Sequence, residues 1–268
     1  MSLDFTLEKY TDLCEAIAFS GYVPMTVRDY LEAQELPSKL VVMRHDVDVV
    51  PKNEPKMALI ENDFGIRATY YFRYKRGIFE PDVMRQIAAM GHEIGYHYET
   101  LDKAKGDCRK AVEMFKRELA AFREVADIST VSMHGNPLTR WDNRDMWREY
   151  DFRDSAIVGE AYLSFRDIVY LSDTGRTWGP AYKVKDVLHS DVDNKGPSPP
   201  TPRVRSTDDI IRLVESERFD RLYLLMHAGR WGDSMPEWVM SMVKDVAVNV
   251  VKRAIALRGT AKEDGRHE

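Results

Sequence analysis

Short β-prone runs alternate with longer stretches of helical periodicity along most of this chain, and that alternation restricts the fold more than any other feature. "LVVM" (40–43), "ATYYF" (68–72), "HEIGYH" (92–97), "TVSMH" (130–134) and "RLYLLMH" (221–227) read as strands, with Tyr70, Tyr71 and Phe72 in the core. Between the first two, "EPKMALIENDFG" sets Met57, Ile60 and Phe64 at helical spacing, with Gly65 as a C-terminal cap. "PDVMRQIAAMG" places Pro81 near a helix start and Gly91 just past its end. From Asp107 a longer helix carries Cys108, Val112, Phe115, Leu119 and Phe122. A last helix, Pro236 to about Leu257, puts Val239, Val243, Val246, Val250 and Ala254 on one stripe, with Gly259 after it. Strands alternating with helices predict an α/β fold, a parallel sheet covered by helices as an open sheet or a barrel. The 268 residues suit a single domain, with residues 1–37 as an N-terminal helical extension packed on it and the Pro-rich 194–205 as a surface loop.

Composition narrows the function classes. A formal net charge of −5 offers no basic field for nucleic acid or anionic lipid. No stretch approaches the ~18 apolar residues of a membrane span. The N-terminus, "MSLDFTLEKYTDLCEAIAFSGY", interleaves acids with apolar residues and reads as a helix, not a signal peptide. Cys14 and Cys108 stand far apart on helical patterns and read as buried free thiols, so the expected location is cytoplasmic.

In parallel folds, functional side chains gather at the carboxyl ends of strands. Here "VVMRHDVDVVP" (41–51) ends its strand with His45, Asp46 and Asp48, while His97, His134 and His227 end three others. These six groups at four strand ends are expected to converge on one face. An Asp–X–Asp pair with histidines from separate strands is the donor set of a mixed nitrogen and oxygen metal site. Asp48, His97 and His134 fill three ligand places, Asp46 is left as general base, and His227 is placed to protonate a leaving group. A lone acid at a strand end is ordinarily a turn or helix-cap residue; the density of "HDVD" argues against that here. His134, in "SMHGNP", reads equally as a ligand or as the residue holding the turn at Gly135, Asn136 and Pro137. His92 opens its strand at the opposite end and is structural, and His189 and His267 lie in polar, solvated sequence. The absence of GxGxxG, P-loop and GxSxG patterns leaves nucleotide-phosphate cradles and serine hydrolases unsupported.

"RHDVD", "GIRATYYFR", "GHEIGYHYETLD" and "LYLLMHAGRW", in that order from about residue 38 to 232, resemble the NodB-type polysaccharide deacetylases, carbohydrate esterase family 4, in a divergent RHDVD-bearing branch. The resemblance implies a distorted (β/α) barrel of seven strands with helices outside. It also implies a divalent metal, Zn2+ first among the choices, held by one Asp and two His, and removal of N- or O-acetyl groups by a metal-bound water. Asp46 matches the family's base. Asp48 matches its metal-binding Asp, displaced by one residue because Val47 intervenes, so the local backbone must differ. His97 matches the first histidine of an HxxxH motif whose second position is Leu101, which binds no metal. His134 is the favoured replacement, with Glu99 as the alternative. Leu225–Met226–His227 matches the late motif, His227 as general acid and Leu225 or Trp231 on the wall that receives the acetyl methyl. Asp173 and Arg176 match the pair that orients the catalytic base, a plain salt bridge being the other reading.

The expected substrate is a small acetylated sugar or sugar-linked intermediate, with no nucleic-acid partner. Two other readings remain: a metal-dependent amidohydrolase acting on a small non-sugar amide, and a degenerate metal-free barrel that binds a glycan or protein, which Leu101 favours.

Overall fold

The computed structural model describes residues 3–179, 185–188 and 202–264, with side chains up to residue 250. His189, His267 and most of the Pro-rich 194–205 segment lie outside the described residues. The strands are β1 (Val23–Met25), β2 (Leu40–Val47), β3 (Thr69–Arg73), β4 (Glu93–Tyr98), β5 (Thr130–Met133), β6 (Gly159–Glu160), β7 (Val169–Ser172) and β8 (Arg221–Met226). The described pairings are all parallel, in the order β6-β5-β4-β3-β2-β8-β7, with β1 beside the start of β2. Seven strands therefore run round in chain order, closed between β8 and β2 and open between β6 and β7. This is the expected distorted (β/α) barrel.

Every residue of β2 is buried, because its inner side chains face the barrel interior and its outer ones lie under helices. Those helices are α1 (Leu7–Ala18), α2 (Val27–Glu32), α3 (Glu54–Asp63), α4 (Pro81–Ala89), α5 (Thr100–Lys103), α6 (Cys108–Arg123), α7 (Thr207–Glu215) and α8 (Met235–Asp264). Local chemistry sets their bounds. Asp107 caps α6 by accepting from the Lys110 amide at 3.0 Å, and Val112, Phe115, Leu119 and Phe122 form its buried stripe. Gly65, at φ +69°, turns the chain after α3 in a conformation that L side chains rarely adopt.

Three features depart from the sequence expectation. Residues 1–37 are not wholly helical, since β1 joins the sheet. Cys108 is half-buried at the start of α6, whereas Cys14 is fully buried. The last helix continues past Gly259, and its valines face away from the body: Val239, Val243, Val246 and Val250 are all exposed. The docked face is instead Trp238, Ser241, Asp245 and Asn249, three and four residues apart. Trp238 Nε1 donates to the Asp4 carbonyl at 2.7 Å, Ser241 Oγ to the Gly229 carbonyl at 3.0 Å, and Asn249 Nδ2 to the Gly175 carbonyl at 2.8 Å. Hydrogen bonds, not apolar burial, fix the orientation of α8. No described helix is long and apolar enough to cross a membrane.

Candidate active site

Alternation along β2 sorts "RHDVD" into two sets. Arg44, Asp46 and Asp48 point inward, and His45 points outward. Parallel register carries the same sorting to the neighbouring strands: Asp46 pairs with Tyr71, Arg73 with His97, and His97 with Ser132. The inner set therefore includes Arg73, His97 and, one residue beyond β5, His134, whose amide continues the ladder to the Tyr98 carbonyl at 2.8 Å. Gly95 is needed beneath this layer, because a Cβ there would lie 2.2 Å from the Tyr71 ring.

Asp46, Asp48, His97, His134 and His227 line one cavity of about 500 Å³ including its open mouth. Asp48 is the hub. Its Oδ1 is 3.5 Å from His97 Nε2 and 3.5 Å from His134 Nε2, and its Oδ2 is 3.8 Å from His227 Nε2. Burial pushes the Asp48 carboxyl up, and the imidazoles of His134, His97 and His227 outweigh it, holding the group well below the usual carboxylate range. Burial brings His134 down to about 4, with Asp48 opposing and Arg73 adding to the fall. At neutral pH His134 is therefore an uncharged imidazole, the form that donates a lone pair.

His97 has its tautomer set by the backbone. Its Nδ1 lies 3.0 Å from the Ser132 carbonyl, which can only accept, so Nδ1 carries the proton and Nε2 faces the aspartates. Asp46 is gripped by a buried fork: Arg44 Nε donates to Oδ1 at 2.8 Å and Nη2 to Oδ2 at 2.7 Å. The guanidinium is held in turn by Ser132 and Tyr223 and stacks over the Tyr162 ring at 4.2 Å. Asp46 Oδ2 stands 3.4 Å from His97 Nε2.

His227 is oriented from behind. Its Nδ1 meets Asp173 Oδ1 at 2.6 Å, and its amide donates to Asp173 Oδ2 at 3.0 Å. Arg230 Nη1 and Trp231 Nε1 also donate to Asp173, at 3.1 and 3.0 Å. Burial raises the Asp173 carboxyl, and His227 with Arg230 more than reverses this, keeping it ionised below the ordinary range.

Several expected residues stand elsewhere. His45 is directed outward by strand parity, so five groups and not six meet at the cavity. Asp173 orients His227, while Arg44 grips Asp46. Arg176 donates to the Arg230 carbonyl at 2.8 Å and to Ser241 Oγ at 2.9 Å, on the α8 side of the fold and off the cavity lining. Leu225 and Trp231 do not line the cavity either: Leu225 is buried in the barrel, and Trp231 packs edge-on against Phe5 and Tyr10. The apolar lining comes from Met133 and Pro137, beside Tyr162. Leu101 is buried, and Glu99 lies beside His134. His92 is a structural bridge, accepting from the Ala68 amide at 3.1 Å and lying 2.9 Å from the Ala58 carbonyl.

Arg44, Arg73 and Arg230 are further groups of the site. Arg44 carries a signal, the inward parity of the strand that ends in Asp46 and Asp48, whereas Arg73 closes a strand whose end bears no acid or histidine. Arg230 sits three residues after His227 in "LMHAGRW" and carries no signal.

The donors suit a divalent cation in type, and two of their separations come near what one requires. One carboxylate and two imidazoles suit zinc and its neighbours. Two zinc ligands at bond lengths of 2.0–2.1 Å stand about 3.3 Å apart in a tetrahedron, close to the 3.5 Å separations found. Among the described residues no three such side chains are drawn into a closed cage as they stand. Buried Asp48 Oδ1 nevertheless accepts no hydrogen bond, which leaves a donor atom for an ion.

No protein-family model and no curated protein matches the chain. Among solved structures it is similar to a mutant of BA3943, described as a CE4 family pseudoenzyme with restored enzymatic activity, at 14% identity and TM-score 0.38 over 84% of this chain. The match spans 65% of that protein's length. It is also similar to a mutant of the peptidoglycan deacetylase PdaC from Bacillus subtilis, at 12% identity and TM-score 0.37, covering 81% of this chain and 97% of that one.

Proposed function

We propose that this protein is a metal-dependent hydrolase that removes an acetyl group from an N- or O-acetylated sugar. The observation that carries the reading is the meeting of Asp46, Asp48, His97, His134 and His227 at one cavity, each from a strand end and each with a distinct environment. Asp48, His97 and His134 would hold a divalent ion, which would supply Lewis-acid polarisation of the acyl carbonyl and would lower the pKa of a water at the site. Asp46, kept in place by the Arg44 fork, takes the proton of the attacking water. His227 protonates the departing nitrogen or oxygen from Nε2, because Nδ1 is committed to Asp173. The Asp173 carboxylate stabilises the imidazolium from which that proton leaves. Met133 and Pro137 offer an apolar surface to the acetyl methyl, and Thr174 adds a hydroxyl to the lining.

Hydrolysis of acetylated amino sugars, measured beside linear and cyclic amides, tests both reaction and substrate class. Asp46→Asn and His227→Ala are expected to lower turnover by a factor on the order of 10²–10⁴. Unchanged turnover in both variants overturns the assignment, and turnover of non-sugar amides alone moves the substrate to a small amide.

A further inference from the structure

His134 differs from His97 in one respect: its Nδ1 is buried and makes no hydrogen bond, although Glu99 Oε2 lies 3.5 Å away. Glu99 is itself tightly held. Arg73 Nη2 donates to its Oε2 at 2.5 Å, and Lys103 Nζ stands 3.5 Å from its Oε1 while bonding Glu118 at 3.1 Å. Arg73 also reaches the main chain that bears the hub of the site, its Nη1 being 3.4 Å from the Asp48 carbonyl oxygen. A single guanidinium thus links the backbone at Asp48 to the carboxylate beside His134. Both His134 and Glu99 are largely shielded from water, at 14% and 12% side-chain exposure.

We infer that Glu99 is a positioning residue: it accepts the Nδ1 proton of His134 and so directs the Nε2 lone pair at the ion that Asp48, His97 and His134 are proposed to hold. This rests on the metal reading above. A metal-binding imidazole ordinarily donates its other ring N–H to a carboxylate or carbonyl, and that partner fixes the tautomer. His97 has such a partner in the Ser132 carbonyl. Backbone supplies none for His134, and Glu99 is the carboxylate that faces its Nδ1. The same geometry argues against Glu99 as a ligand. It lies on the Nδ1 side of the ring, away from Asp48. The position two residues beyond Glu99, where an HxxxH motif would have its second histidine, is Leu101 and is buried. The second imidazole therefore comes from the next strand end, and Glu99 is the side chain that orients it.

Two measurements test the inference. The first is the His134 tautomer in the metal-free protein, read from ring ¹⁵N shifts by NMR. Wild type is expected to carry the proton on Nδ1, Glu99→Ala to lose that preference, and Glu99→Gln, whose amide oxygen still accepts, to retain most of it. The second is zinc affinity by competition with a chromogenic chelator, expected to fall roughly 10–100-fold in Glu99→Ala and less in Glu99→Gln. A wild-type His134 protonated on Nε2, or a tautomer and affinity unchanged in Glu99→Ala, overturns the positioning role. A far larger loss, equal in Glu99→Ala and Glu99→Gln, overturns it in favour of direct ligation. Should wild type bind no zinc, the metal reading fails, while the tautomer result still decides the role of Glu99.

Discussion

Strand β2 carries two polar clusters back to back, and they differ in what their atoms are left to do. On its inner side Asp46, Asp48, His97 and His134 border an open cavity, and Asp48 Oδ1 and His134 Nδ1 lack hydrogen bonds. On its outer side His45, Tyr10, Tyr70 and His92 surround Glu61 under α1 and α3, sealed from solvent. His45 Nε2 lies 2.7 Å from Glu61 Oε1, which Tyr10 also engages, and Tyr70 donates to Oε2 at 2.7 Å. Both Glu61 oxygens are thus satisfied, and only His45 Nδ1 is left unpaired. His45 stacks on Tyr70 with ring centroids 4.3 Å apart. The Glu61 carboxylate has both oxygens used inside the fold, whereas Asp48 keeps a spare oxygen at a cavity. Residue type alone does not separate the two, and both clusters contain acid, histidine and tyrosine.

The largest expected effects lie on the inner side. The loss of turnover expected for Asp46→Asn and His227→Ala, on the order of 10²–10⁴, should have no counterpart in His45→Phe, which should stay within a few-fold of wild type. A matching loss in His45→Phe would erase the distinction between the faces. Next comes stability. Glu61→Ala removes the acceptor at the centre of the sealed cluster and should cost about 3–5 kcal/mol in urea unfolding. A cost below about 1 kcal/mol would mean that the cluster fastens nothing.

A pH measurement sharpens the contrast further. Burial raises the Glu54 carboxyl, at the start of α3, from 4.5 to about 7. Its folded value lies above its unfolded one, so its contribution is fully present below about pH 4.5 and is lost as the pH rises through 7. At about 1.4 kcal/mol per unit this amounts to roughly 3 kcal/mol. Glu54→Gln should abolish that loss and be the more stable protein at pH 8, as read by denaturant midpoints across the range. The smallest effect belongs to Tyr70→Phe, which deletes one hydrogen bond to Glu61 and should cost about 1 kcal/mol, again without changing turnover.

Much of this was legible in the sequence, and the misses have physical causes. Strand ends located Asp46, Asp48, His97, His134 and His227, because the carboxyl ends of parallel strands share one face. His45 is their neighbour in sequence, but the two-residue alternation sends it to the opposite side. Strands β1, β6 and β7, two to four residues long, are too short to show periodicity. The valine stripe of α8 had the spacing of a core helix, yet Trp238, Ser241, Asp245 and Asn249 dock it, since hydrogen-bonding partners leave no mark on hydrophobic periodicity. Arg176 fits the motif by position alone, and its side chain is taken up by the α8 contact.

The inner cluster, and not the outer one, is the one proposed to hold a divalent metal. The most direct test is the metal content of the purified protein by inductively coupled plasma mass spectrometry, with Asp48→Asn, His97→Ala, His134→Ala and His45→Phe measured alongside. About one equivalent of zinc or a neighbouring transition metal is expected, lost in the three inner variants and kept in His45→Phe. No metal in wild type after incubation with excess zinc, or metal retained in all three inner variants, would contradict it.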